Sequence, residues 1–146
     1  MEKIIGQKSI FPMRKLLTCS ILIFAIFPQL TCTKKAADYP NLKIVDLKKG
    51  SGNEVGSRDT ILVRYEGRFL NGQVFDQSPR DGSTRRYSLS ARTLIMGWRL
   101  GLVGMKEGGK RRLTIPPDLA YGKKGKGSKI PPHTTLIFDV ELLKIQ

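Results

Sequence analysis

Cysteine is scarce in this chain and missing from most of it. The only two, Cys19 and Cys32, fall within the first 32 residues, so the chain beyond Cys32 can build neither a disulfide framework nor a thiolate metal cage. Histidine occurs once, as His133 after two prolines, with no His or Cys companion. That argues against a metal centre and against a nucleophile-base triad, and no cofactor is expected. The longest apolar stretch, residues 16–27, is shorter than the roughly 18–20 residues of a membrane-spanning helix, and Pro28-Gln29 interrupts its end. Acidic residues are few, 12 against 26 lysines and arginines, for a net charge of +14. Such an excess usually points to nucleic acid, anionic lipid or an acidic partner. No helix-turn-helix, zinc-finger spacing or aromatic RNA-binding signature accompanies it, so no nucleic-acid partner is expected. The run G-K-K-G-K-G-S at 122–128 has the glycines of a phosphate loop, but Ser128 stands where that pattern needs lysine and no helix pattern comes after it. The charge is read first as a solvated surface and second as affinity for an anionic membrane or cell-surface polymer.

What is present begins with a leader. Met13-Arg14-Lys15 precedes the apolar run, the layout of an export signal, and Met13 offers an alternative start. Cys32 follows that run where a bacterial lipoprotein carries its lipid-acceptor cysteine. The surrounding box departs from the usual one, because Gln29 and Thr31 replace an aliphatic and a small residue. The expectation is an export signal over 1–31, lipidation at Cys32, a tether over 32–41 and one domain over 42–146, facing the periplasm in the cell envelope. Simple cleavage and an uncleaved anchor are the alternatives. Without residues 1–31 the chain still carries +11.

Beyond the tether the apolar positions 42, 44 and 47 suggest a first strand, ended by the turn signal Lys49-Gly50-Ser51-Gly52. A second runs over 60–70, and Asn71-Gly72 reads as a two-residue hairpin into Val74-Phe75. Short strands come next at 85–89 and 110–115, and a long one at 134–144. One helix is expected from an N-cap at Thr93 to Gly104, with Leu94, Ile95, Trp98 and Leu102 at helical spacing. Gly97 and Gly101 are poor helix formers, so this helix must lean on tertiary packing. The fold class is α+β: a curved, mainly antiparallel sheet of about five strands around one short α-helix.

Six motifs in order carry a resemblance: V-R-Y-E-G at 63–67, G-x-V-F-D-x-S at 72–78, L-I-M-G-W at 94–98, G-L-x-G-M-K-E-G from 101, A-Y-G at 120–122, and I-P-P-H-x-T-L-I-F-D-V-E-L-L from 130. Together they resemble the FKBP-type peptidyl-prolyl cis-trans isomerase domain over about residues 42–146. The resemblance implies a cofactor-free, monomeric enzyme that turns X-Pro bonds in proline-containing polypeptides. A weakly catalytic module that captures such segments or an anionic surface is the alternative. The resemblance assigns a catalytic pocket to Tyr65, Phe75, Asp76, Trp98, Tyr121 and Phe138, and substrate contacts to Leu94, Ile95 and Ile130, with Trp98 as the floor. The Tyr121 hydroxyl and the Ile95 backbone N–H are the implied donors to the bound chain, and Pro131, Pro132 and His133 are expected to shape the entrance.

Departures from the family pattern fall on the rim. Asp76 is commonly held there by a tyrosine and an arginine, but the gapless count puts Asp81 in the arginine's place, leaving Arg80 or Arg86 as substitutes. Arg85 stands where an aromatic wall is usual, and Lys126 and Lys129 add charge beyond Tyr121. Substrate preference is where these changes should tell.

Overall fold

The computed structural model describes residues 35–79 and 81–146. The expected signal segment, Cys32 and Arg80 lie outside them. Among the described residues six strands form one antiparallel sheet: β1 (Lys43–Lys48), β2 (Thr60–Phe69), β3 (Val74–Gln77), β4 (Arg85–Ser88), β5 (Lys110–Ile115) and β6 (Leu136–Ile145). Their order is β1-β5-β6-β2-β3, with β4 also on β2. Strands β3 and β4 share an edge: β4 pairs Thr60 to Val63, and β3 pairs Glu66 to Arg68.

Alternation along β2, β5 and β6 explains the core. Ile61 and Val63, Leu113 and Ile115, and Leu136, Phe138, Val140 and Leu142 point to one face and are buried. Complete burial of such side chains stabilises by about 1.5–3 kcal/mol each. The opposite face is a charge ladder, where Arg112 makes a two-pronged pair with Asp139 at 2.6 and 2.8 Å and Arg68 joins from β2. Strand β1 is an edge strand paired to β5, and its Ile44 and Leu47 are exposed; Leu42, just before it, is the buried residue.

The helix α1 is shorter than expected, Met96–Gly101. Thr93 does not cap it; Ile95 occupies that position with extended backbone (φ −57°, ψ 145°), and Leu94 belongs to the preceding turn. Its two glycines have a steric reason. A Cβ on Gly97 would lie 2.3 Å from Ile115 Cγ2, and one on Gly101 2.7 Å from Leu113 Cδ2, so their absence lets the helix backbone rest on β5. Arg111, buried beneath, donates to the carbonyls of Gly101 (2.9 Å) and Val103 (3.1 Å) and pairs with Asp46 at 2.6 Å. One guanidinium thereby ties the helix end to the edge strand.

Two boundaries move for reasons of turn chemistry. The β2-β3 hairpin has a three-residue loop, Leu70-Asn71-Gly72, closed by Phe69 N–H to the Gln73 carbonyl at 2.9 Å, with Gly72 at φ 87°. Strand β6 starts at Leu136, because the Thr134 hydroxyl is held in the turn by the Pro131 carbonyl at 2.8 Å.

Candidate active site

The helix packs on the buried face of the sheet against β5, beside a cavity of about 140 Å³. Strand β2 supplies Tyr65, β3 Phe75 and Asp76, β6 Phe138, and α1 Trp98, which is 3% exposed. Leu94 and Ile95 come from the turn before the helix, and Tyr121 and Ile130 from the loop between β5 and β6. All nine residues named from the sequence thus line one pocket.

Its floor is a cluster of perpendicular rings. Trp98 meets Tyr65 at 5.2 Å and 87°, Phe138 at 5.3 Å and 89°, and Tyr87 at 5.1 Å and 65°. Phe75 stands edge-on to Phe138 at 5.6 Å. Such contacts add about 0.5–1.5 kcal/mol each beyond area burial. Gly67 makes the Phe75–Phe138 contact feasible, because a Cβ there would lie 2.7 Å from Phe138 and 2.9 Å from Phe75. Among the described residues the buried Trp98 indole N–H has no acceptor, a penalty on the order of 1–3 kcal/mol left inside the site.

Tyr87 is a wall residue that the motif resemblance does not name. Arg85 is exposed, while Tyr87, two residues on and therefore on the same side of β4, lines the pocket and donates to the Tyr65 hydroxyl at 3.3 Å. The period-two rule applied to β4 was the available signal. Thr93 lines the rim as well.

The polar rim has three parts. Tyr65 donates to Asp76 Oδ2 at 3.0 Å. Burial first, then Tyr87 and Asp76, pushes the Tyr65 hydroxyl well above the usual tyrosine range, so it remains a donor. Among the described residues Lys129 reaches Asp76 Oδ1 at 3.4 Å; Arg86 is exposed and makes no ion pair among them. Lys126 stands 5.2 Å from the Tyr121 ring centroid and donates to its hydroxyl at 3.5 Å. The Ile95 N–H donates to no protein acceptor among the described residues.

Both lysines are delivered by backbone that requires glycine. Gly122, Gly125 and Gly127 adopt φ 59°, 64° and 54°, and Lys126 N–H donates to the Ile130 carbonyl at 2.8 Å. His133 (φ 56°) donates its N–H to the Gly122 carbonyl at 2.9 Å. With Pro131 it borders a separate shallow groove beside Phe69 and Leu70, so these residues fasten the loop and do not line the pocket entrance as expected.

Fold and site define a class: an antiparallel sheet and short helix enclosing an aromatic-lined slot, with hydroxyl and backbone N–H groups at its lip. The model of the FKBP-type peptidyl-prolyl cis-trans isomerase family matches residues 52–143. An FK506-binding protein of Neisseria meningitidis is 48% identical over 105 residues, spanning 72% of this chain and 96% of that one. Solved structures agree. A peptidyl-prolyl cis-trans isomerase from Pseudomonas syringae superimposes with a TM-score of 0.65 at 35% identity, covering 73% of this chain and 82% of that one. FkpA from Escherichia coli gives 0.68 at 40% identity, over 77% of this chain and 51% of FkpA. The chain belongs to the FKBP-type peptidyl-prolyl cis-trans isomerases and is an enzyme of that kind.

Proposed function

We propose that the pocket accelerates X-Pro rotation in exported proteins by taking the proline ring out of water and favouring the twisted amide. The planar amide is held by a barrier of about 18–20 kcal/mol and is strongly solvated. Twisting removes the resonance, leaves the nitrogen pyramidal and makes the carbonyl less dipolar, so a dry aromatic site suits the twisted state better than the planar one. A thousandfold acceleration needs only about 4 kcal/mol of such preference.

The observation that carries this reading is the combination of slot and lip. A volume of about 140 Å³ approaches the roughly 150 Å³ that accommodates a benzene ring, so a proline ring fits with Trp98 beneath it. The Ile95 N–H and the Tyr121 hydroxyl then hold the chain on either side of the rotating bond. Asp76, held by Tyr65 and Lys129, orients and does not attack, because no bond is broken. A protease-coupled assay on X-Pro tetrapeptides tests the reading: turnover is expected, and none from well-folded protein, whatever residue precedes proline, would overturn it.

The same proposal puts the protein in the cell envelope as a monomer, exported by residues 1–31 and lipidated at Cys32. It rests on the charged-then-apolar order of the leader and the position of the cysteine. Intact mass of the protein recovered from membranes tests it. An acyl adduct on Cys32 is expected; an unmodified N-terminus beyond Cys32 would contradict it.

A further inference from the structure

The two lysines over the pocket mouth have a use that ring binding leaves unassigned. Lys129 is already engaged by Asp76, but Lys126 forms no ion pair among the described residues. It is held 3.5 Å from the Tyr121 hydroxyl by a loop whose backbone leaves no freedom at Gly125, where a Cβ would lie 2.2 Å from the Ile130 oxygen. One carboxylate, Asp76, therefore faces two ammonium groups on this rim. A chain that gives a carbonyl to the Tyr121 hydroxyl brings the side chain of that residue within reach of the Lys126 ammonium.

We propose that Lys126, supported by Lys129, selects X-Pro segments with an aspartate or glutamate directly before the proline. This rests on the isomerase reading and names its preferred substrate class. Lys126 acts as a specificity residue: it meets the client's side chain, while the rings beneath receive the proline whatever precedes it. A solvent-exposed pair of this kind is worth a factor of about 1.5 to 5, and it fades as the Debye length falls from about 10 Å at 0.1 M salt to 3 Å at 1 M.

Cis-trans exchange rates measured by NMR on matched peptides Ala-Glu-Pro-Phe and Ala-Gln-Pro-Phe, with Ala-Gln-Pro-Glu as a third, test the inference without a protease. Catalysed exchange of the Glu-Pro peptide is expected to exceed that of the Gln-Pro peptide by about threefold at low salt, with the ratio collapsing toward one at 1 M salt and in Lys126→Gln. A ratio of one in the wild type, a ratio unmoved by Lys126→Gln, or a preference confined to glutamate after the proline would overturn it. Failure to exchange any of the three peptides would instead overturn the isomerase reading beneath it, so the two failures are distinct.

Discussion

The Tyr65 hydroxyl donates to Asp76 across the pocket at 3.0 Å while its ring stands perpendicular to Trp98 at 5.2 Å. One side chain thus fixes the carboxylate at the rim and walls the floor below. In the sheet the link is direct, since Gly67, two residues along β2, pairs with both Asp76 on β3 and Phe138 on β6.

Tyr65→Phe keeps the wall and deletes the tether. We expect a stability loss of about 1 kcal/mol in urea unfolding and a fall in kcat/KM of about fivefold as Asp76 loses its place. Because the folded-state pKa of Tyr65 is raised, its hydroxyl stays protonated where an ordinary tyrosine ionises. An activity loss with rising pH below about 10 that disappears in Tyr65→Phe would contradict this assignment.

Gly125→Ala tests the loop. Alanine at φ 64° with its Cβ against the Ile130 oxygen forces the turn to open, at a cost of about 1–2 kcal/mol for the left-handed conformation alone. The sheet is elsewhere, so thermal melting should shift by only a few degrees while kcat/KM falls as Tyr121, Lys126 and Lys129 lose their positions. Wild-type kinetics in this variant would show that the loop's shape does not matter.

The charge ladder on the outer face predicts an acid limb of stability. Arg112 above all, then Arg68 and Lys110, hold the Asp139 carboxyl below the usual range against the opposing effect of its burial. A depressed folded-state pKa gives stability that is fully present above the unfolded value, about 3.9, and lost as pH falls through the folded one. Urea unfolding from pH 7 to pH 2 should show that fall, and Asp139→Asn should flatten it while lowering stability at pH 7. An unchanged acid limb in the variant would assign the effect to other carboxylates.

Much of this was legible from the chain because alternation and ordered motifs report on local geometry. Period two in residues 136–142 fixed the core face of β6, and the motif set placed nine residues around one pocket that their own spacing could not have assembled. What escaped was long-range or conformational. Lys129 reaches Asp76 across 53 residues of sequence, which no local count can see. Tyr87 was hidden because the family pattern points to Arg85 and not to the next residue of the same strand face. The helix is short because leucine spacing continues into turns at both ends, while Ile95 and Leu102 already sit at its caps. Gly97 and Gly101, weak helix formers by propensity, are the residues that allow its contact with β5.

Trp98 is the chain's one tryptophan and the floor of the pocket, so it bears the central claim. The decisive measurement is the catalysed exchange rate of an X-Pro peptide, by NMR, for wild type, Trp98→Leu and Phe75→Leu, with circular dichroism and urea unfolding on the same samples. The account predicts clear acceleration by the wild type and a loss on the order of a hundredfold in each folded variant, about 2.7 kcal/mol of lost preference for the twisted amide. Folded variants that keep the wild-type rate would contradict it.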